Sequence, residues 1–404
     1  MRNGLKFAAV VASVCGALAV AGGSWAADQP QVSKSVAKQL KAAQEAVQQK
    51  HYDEALTSIN QAKSAAGEKT PYDNYVINVL LIQVYQGKND SADLVGALGS
   101  AAQSQYASAE QQKTWYKFIA QYWFQQKDYN KSVDAAQEAI RHGANDADTQ
   151  GLVAKAQYLA GRYKEAAQTQ QDIVSKMEKP DEESLKLLWQ FDLKAGDDAA
   201  AAKTVERLVT YYPKPEYWAN ALASLVRMDI KDSHLQLNVY RLMNDVGVLK
   251  LRTDYADMAE IALDQGYPGE TVSVLQEAFQ KNVFTEQRDK DRYQHLLDGA
   301  KQRAAQDQQT LGKNEPADGN GLVQLGVAYM TYGQYDKAIT YITKGIQKGG
   351  LKSPEEANLV LGIAQLKSKN VADAQKSFDK VASSSNPGYA RLGKLWALHA
   401  GARS

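Results

Sequence analysis

The side chains that most often carry chemistry are scattered through this 404-residue sequence. Its five histidines lie at least 61 residues apart, and none stands in an HExxH or comparable metal-ligand spacing. Isolated histidines of this kind are typical of surface or helix-end positions. We therefore predict no metal site at any of them: His51, His142, His234, His295 and His399.

Two pairs of carboxylates could in principle serve acid–base catalysis. Glu182 and Glu183 form one pair, and Asp197 and Asp198 form the other. Both pairs precede apolar periodic segments, where acidic residues favour the positive end of a helix dipole. The sequence also lacks a G-x-S-x-G elbow, a Walker loop and a G-x-G-x-x-G loop. We therefore predict no catalytic residue and no cofactor.

The elements that would position a binding surface are predicted to be helices throughout. Almost no segment alternates with strand periodicity, and Ala, Gln, Lys and Leu dominate. The clearest segment, 322–347, contains two apolar helical patterns separated by Gly333. Glycine tolerates the left-handed backbone that ends a helix, so Gly333 predicts a turn. Ala338 is small and falls where the second helix must approach the first.

This segment resembles the tetratricopeptide repeat (TPR). The residues that match the family pattern are Leu325, Gly326, Tyr329, Gly333 and Ala338. Ile342 replaces the aromatic residue of the second helix, and Gly350 replaces the closing proline. Similar landmarks recur at the TPR period, because Tyr129 and Tyr163 are 34 residues apart. Gly161 and Gly196 are 35 residues apart, and Gly266 follows after two further steps of 35.

The resemblance implies an all-α fold, a right-handed superhelical solenoid of antiparallel helix pairs with a C-terminal capping helix. We expect a TPR-like array over 27–313, in which 116–213 matches best and 216–244 is degenerate. Residues 285–311 are expected to form a charged, solvated helix. The segment 314–320 is predicted to be a loop and a candidate domain boundary. A TPR pair and the capping helix then occupy 321–404.

The first 26 residues have the pattern of a cleavable signal peptide. A basic start, an apolar stretch and the small residues around Ala26 favour cleavage after Ala26. Val14 before Cys15 argues against lipidation, and Cys15 is the only cysteine. Without Arg2 and Lys6, 45 basic residues face 46 acidic ones, a net charge of −1 that favours no nucleic-acid partner. We expect a periplasmic protein whose mature chain has no transmembrane segment.

The resemblance also implies a binding surface, since the first helices of a TPR array line its concave side. The side chains that correspond to this side combine amides, cations and aromatic rings, which suit an extended or acidic protein segment. Phe124 and Tyr158 could instead be packing residues. The candidate protein-binding residues are Lys117, Gln121, Phe124, Gln125, Lys155, Tyr158, Lys186, Gln190 and Lys194.

These features favour a non-enzymatic interaction scaffold of the cell envelope. The resemblance implies a role as an accessory of outer-membrane transport or TonB-type energy coupling. One alternative is a polysaccharide-processing enzyme of the α/α-toroid type, which would need an acid or histidine cluster in a central cavity. Another alternative is a structural spacer. The aromatic segment Tyr211–Trp218 predicts a helix end followed by a helix that opens at Pro215, with a partner-binding corner as the alternative.

Overall fold

The computed structural model describes residues 30–226 and 232–402, so the predicted signal peptide lies outside the described residues. All regular elements within these ranges are α-helices. The first ten are α1 (Lys34–Gln48), α2 (Tyr52–Ser64), α3 (Pro71–Lys88), α4 (Ser91–Ala102), α5 (Ala109–Gln125), α6 (Tyr129–Arg141), α7 (Ala147–Leu159), α8 (Tyr163–Ser175), α9 (Glu182–Ala195) and α10 (Asp198–Tyr211). The others are α11 (Pro215–Val226), α12 (Ser233–Asp245), α13 (Arg252–Asp264), α14 (Pro268–Gln280), α15 (Gln287–Thr310), α16 (Gly319–Thr331), α17 (Tyr335–Lys348), α18 (Pro354–Lys367), α19 (Val371–Ala382) and α20 (Pro387–Gly401).

Two compact units make up the described chain. Unit 1 contains the residues up to Pro180 together with Gln190–Asp197. Unit 2 contains Asp181–Trp189 together with the residues from Asp198 onward. The division falls within α9, whereas the boundary predicted from the sequence at 314–320 stays a prediction. Among the described residues, no helix combines the length and apolar content needed to cross a lipid bilayer.

Short turns join successive helices into antiparallel pairs, and the predicted glycines lie at these turns. Gly161, Gly196, Gly266 and Gly333 all have positive φ, between 72° and 81°. Gly87 lies inside α3, and the left-handed turn residue after that helix is Asn89 (φ 55°). The role of Gly87 is close packing, since a Cβ atom at this position would lie 2.1 Å from the Tyr52 ring.

Small residues lie at the helix–helix contact of several pairs. Ala338 on α17 is fully buried. On α16, a Cβ atom at Gly326 would lie 2.5 Å from Ile342 Cγ1 and 3.0 Å from the Ala338 carbonyl oxygen. The corresponding residues of other pairs, Ala55, Ala136, Ala166 and Ala374, are fully buried as well. The predicted all-α fold of antiparallel, TPR-like helix pairs is therefore confirmed.

In unit 2, α12 explains why 216–244 looks degenerate. Large apolar side chains surround this helix and take the place of the small residues of a repeat. Every residue from 237 to 243 is buried, so this helix packs on every side. The buried apolar residues are Leu235, Leu237, Val239, Tyr240, Leu242 and Met243.

The C-terminal helix α20 does more than cap the end of an array. It packs on its neighbour α19 and also contacts α10, α11 and α12. Gly388 permits this approach, because a Cβ atom there would lie 2.5 Å from Leu235 Cδ2. Tyr389 Oη on α20 also donates a hydrogen bond to Asp232 Oδ2 over 3.4 Å. Unit 2 therefore closes on itself through contacts between residues more than 150 positions apart.

Candidate protein-binding face

Helix α5 carries the first four candidate residues. Ser108 and Gln111 form a capping box that fixes the start of the helix. One side of α5 is buried through Trp115, Phe118, Ile119 and Ala120. The opposite side leaves the candidates Lys117, Gln121 and Gln125 exposed and Phe124 half-buried.

The two candidate aromatic residues pack within unit 1. The Phe124 ring contacts the Tyr129 ring edge to face, with the ring centroids 5.6 Å apart. One repeat later, Tyr158 contacts Tyr163 in the same way at 5.4 Å and stacks on Phe191 at 4.6 Å. Because both side chains are half-buried, each contributes to packing and presents only part of its surface to solvent.

Lys117 on α5 forms an ion pair with a residue at the start of α7. Its Nζ lies 2.9 Å from Asp146 Oδ2, and Asp146 is the N-cap that accepts a hydrogen bond from the Thr149 backbone nitrogen. Burial alone would raise the pKa of Asp146, but hydrogen bonds from Lys117 and Thr149 outweigh it and lower that pKa to about 2. Lys117 thus stabilises a helix start, which reduces its availability to a partner.

The remaining candidate lysines fall into two classes. Lys186 lies in unit 2, where its Nζ is 3.6 Å from Glu183 Oε2. Lys155 on α7 and Lys194 on α9 are exposed, and neither forms an ion pair with any residue in 30–226 or 232–402. These two cations are therefore available to an anionic group in solution.

The amide side chains among the candidate binding residues differ in their surroundings. Gln121 and Gln190 are exposed. Gln190 Nε2 donates a hydrogen bond to Tyr158 Oη over 3.1 Å, which links α9 to α7 within unit 1. Helix α5 contacts α7 directly, so Gln121 and Lys155 lie on neighbouring first helices. The assignment of all nine residues to a binding face stays a prediction.

Two other segments singled out by the sequence are built into unit 2. Pro215 opens α11 as predicted, and Tyr217 and Trp218 behind it are buried. Lys214 Nζ lies 2.6 Å from Glu182 Oε1, so the only cation of this corner is paired. These contacts favour the helix-end interpretation of the corner over partner binding.

The charged helix α15 is partly buried. Tyr293, Leu297, Ala300 and Ala304 form its buried side. Its charges pair with another helix: Arg252 lies 3.3 Å from Asp289, and Arg292 lies 2.7 Å from Glu260. Asp289 and Arg292 are three residues apart on α15, but each pairs with α13 rather than with the other. The predicted solvation therefore applies to one side of the helix only.

Sequence reasoning missed a set of buried charges inside unit 2. His399 Nε2 on α20 lies 2.7 Å from Asp245 Oδ2 on α12, and Lys367 on α18 pairs with Asp245 Oδ1. Arg241 donates two hydrogen bonds to Glu270, of 2.8 and 2.6 Å. His399 is buried, which differs from the surface position expected for it. Asp245 lies 154 residues before His399, so no local pattern marks this pair.

These charges border a cavity of about 180 Å³ that Arg241, Asp245, Glu270 and Lys367 line together with Met330 and Trp396. Both carboxylates in the cavity are held by cations, and both oxygens of Glu270 accept from Arg241. Within the described ranges, no three His, Cys, Asp or Glu side chains come together to hold a metal ion.

Comparison with known proteins gives similarity of fold only at low scores. No protein-family model matches the chain, and no curated protein matches it. Among solved structures, Naa15/Naa10 bound to HypK is similar with a TM-score of 0.34 and 15% identity. That similarity covers 85% of this chain, and this chain spans only 63% of the matched one.

Two further similar structures are of tetratricopeptide repeat proteins. A tetratricopeptide repeat protein from Parabacteroides merdae covers 82% of this chain and all of its own, with a TM-score of 0.26 and 11% identity. The TPR2AB domain of yeast Sti1, in its complex with pHSP90, covers 72% of this chain and 98% of its own, with a TM-score of 0.24 and 16% identity. Scores this low say nothing about a ligand or an activity.

Proposed function

We propose that the protein is a non-enzymatic scaffold whose unit 1 binds an acidic, extended protein segment. The observation that carries the proposal is the presence of two exposed, unpaired cations, Lys155 and Lys194, beside exposed amides. An amide can exchange hydrogen bonds with an extended backbone, and a lysine can meet a carboxylate. The partner surface consists of Gln121, Gln125, Lys155, Gln190 and Lys194, with partial contributions from Lys117, Phe124 and Tyr158.

Lys186 contributes differently in this proposal. It belongs to unit 2 and is paired with Glu183, so its ammonium group is partly neutralised. The pair is exposed, and exposed pairs are worth only about 0–1 kcal/mol, so a partner carboxylate could displace Glu183 at low cost. We therefore retain Lys186 as a secondary contact of unit 2 taken by itself.

The toroid-enzyme alternative is less well supported. Such an enzyme needs a carboxylic acid that can give or take a proton beside its substrate. In the unit 2 cavity, Asp245 is held by His399 and Lys367, while Glu270 is held by Arg241. Both carboxylates are therefore bound within the protein, which leaves them less available to a substrate.

The site of action in this proposal is the periplasm. The support is the signal-peptide pattern that ends at Ala26, with the accessory role in outer-membrane transport or TonB-type coupling resting on the TPR resemblance alone. Intact mass of protein purified from its native host should give a chain that begins at Ala27 without lipid. An acylated Cys15 at the mature N-terminus would overturn this part of the proposal.

Charge reversal tests the binding face. Purified protein starting at Ala27 would be immobilised and incubated with native envelope extract, beside a Lys155→Glu, Lys194→Glu variant. Captured proteins would be quantified by mass spectrometry. We expect the variant to lose acidic partners that the unaltered protein captures, and high salt to weaken that capture because screening reduces attraction between exposed charges.

The matched control is Lys63→Glu with Lys164→Glu, which makes the same change in net charge on two exposed lysines of second helices. Circular dichroism of both variants checks that the helices are retained. Loss of the partners in the Lys155/Lys194 variant alone supports the proposal. Equal capture by all three proteins would show that this face does not bind them.

A further inference from the structure

A neutral groove lies beside α3 and the end of α4 in unit 1. Its volume is about 430 Å³, within the range of roughly 300–1,000 Å³ found for small-molecule sites. None of its lining residues is charged, although 23% of the chain is charged. The lining residues are Pro71, Asn74, Tyr75, Asn78, Ser100, Gln103, Ser104 and Gln105.

One aromatic ring, that of Tyr75, lines this groove, and two further tyrosines pack against it. Tyr75, which lines it, belongs to a cluster of three half-buried tyrosines. The Tyr72 and Tyr106 rings meet edge to face with centroids 5.0 Å apart, and Tyr75 lies 6.0 Å from Tyr106. Tyr75 Oη donates a hydrogen bond of 3.4 Å to Gln111 Oε1, which fixes the ring orientation.

The amide groups beside these rings are available. The side chains of Asn74, Gln103 and Gln105 are exposed and form no hydrogen bond with the residues that the structure describes. Asn78 Nδ2 donates to the Asn74 carbonyl over 2.9 Å, which leaves its Oδ1 as an acceptor. Each amide offers both a donor and an acceptor in one plane.

We propose that this groove binds a neutral oligosaccharide. Adjacent hydroxyl groups of a sugar match the paired donor and acceptor of an amide side chain, and the C–H face of a sugar ring packs on an aromatic ring. A groove without charges favours a ligand without charges, because an ionic ligand would lose hydration without gaining an ionic partner. This site is separate from the proposed protein-binding residues, and it makes no use of Lys155 or Lys194.

Ligand-observed NMR with cellotriose, maltotriose and tri-N-acetylchitotriose as probes tests the proposal on the whole protein starting at Ala27. We expect saturation transfer to at least one of the three sugars. An Asn74→Ala, Gln103→Ala variant should weaken that binding at least tenfold in a titration, since it removes two free amides. Both positions are exposed, so the fold should be retained.

The matched control is Asn60→Ala with Gln61→Ala, which removes one Asn and one Gln from the exposed side of α2. This control should bind the sugar as the unaltered protein does. Absence of binding to all three sugars would overturn the proposal, as would equal weakening in the two variants. Binding of a charged peptide to this groove in preference to the sugars would overturn it as well.

Discussion

Unit 1 and unit 2 are built from the same kind of helix pair, but they use their charges differently. In unit 1, Lys155 and Lys194 are exposed and unpaired. In unit 2, Asp245 is buried between His399 and Lys367, and Arg241 is buried against Glu270. The comparison teaches that the same kind of helix pair can be used in two ways. Its charged side chains can stay exposed for a partner, or they can pair with residues of another helix in the same unit.

The largest loss of stability is expected when the contacts between α12, α18 and α20 of unit 2 are broken. Asp245→Ala would leave His399 and Lys367 without their shared carboxylate in a buried position. The Asp245 side chain is 7% exposed and contacts both His399 and Lys367, and each hydrogen bond lost to a charged group costs about 1.5–3 kcal/mol. Hydrogen exchange should therefore accelerate in α12, α18 and α20 while α5 to α8 of unit 1 keep their protection. Uniform acceleration in both units, or none in either, would show that this pair does not hold unit 2 closed.

Helix-pair packing should be equally strict in both units. Ala166 in unit 1 and Ala338 in unit 2 are fully buried. Changing either to leucine should destabilise its own unit by about 1–3 kcal/mol through overpacking. The control Lys348→Gln changes an exposed residue of α17 and should stay within about 0.5 kcal/mol. Chemical denaturation measures all three, and an unchanged midpoint for Ala338→Leu would mean that the repeat register is wrong.

The turns and the close contacts within helix pairs could be predicted from the sequence because they depend on residues near one another in the chain. A left-handed turn favours a glycine and a close helix pair favours a small residue, so Gly161, Gly333 and Ala338 mark their own positions. The closure of unit 2 has no local signal, since Asp245 and His399 lie 154 residues apart. The one available indication was that α12 carries large apolar residues where the other repeats have small ones.

The candidate face of unit 1 was predictable in part for the same reason. Helical periodicity and the repeat step locate Gln121 and Lys155 on exposed positions of neighbouring first helices. The engagement of Lys117 by Asp146 depends on side-chain geometry at the start of α7, which spacing does not specify. Phe124 and Tyr158 needed the structure to show that tyrosines of the following helix cover them.

A smaller effect is expected at the turns. Gly161 has φ +78°, and an alanine there should destabilise unit 1 by about 1 kcal/mol because its Cβ disfavours this backbone. Lys127 holds the same turn one repeat earlier with φ 62°, so Lys127→Gly should stabilise it by about 0.5–1 kcal/mol. A lower melting temperature for Gly161→Ala and a higher one for Lys127→Gly would confirm that both residues hold the same left-handed turn. A loss of stability in both variants would contradict it.

The smallest effect concerns acid stability of unit 1. The pKa of Asp146 is lowered from 3.8 to about 2, so its contribution is present above pH 3.8 and is lost as the pH falls toward 2. The side chain is 46% exposed, so solvent screening limits this contribution to below about 1 kcal/mol. Asp146→Asn should lower stability near neutral pH and match the unaltered protein near pH 2. A constant difference at both pH values would assign the effect to capping alone.

Site-specific photo-crosslinking compares the two units most directly. Cys15 is the only cysteine and lies before the predicted cleavage site, so a cysteine placed in the chain starting at Ala27 can carry a single photoreactive label. Gln121→Cys puts the label on the exposed side of α5 in unit 1, and Asn244→Cys puts it beside the cavity of unit 2. Each labelled protein would be irradiated in native envelope extract, and its adducts would be identified by mass spectrometry.

The account predicts that the Gln121→Cys label captures an acidic segment of another protein, and that the Lys155→Glu, Lys194→Glu changes abolish this capture. The Asn244→Cys label should instead react within its own chain, with α14, α18 or α20. Capture of the external partner through Asn244→Cys, with none through Gln121→Cys, would contradict the assignment of the binding face to unit 1.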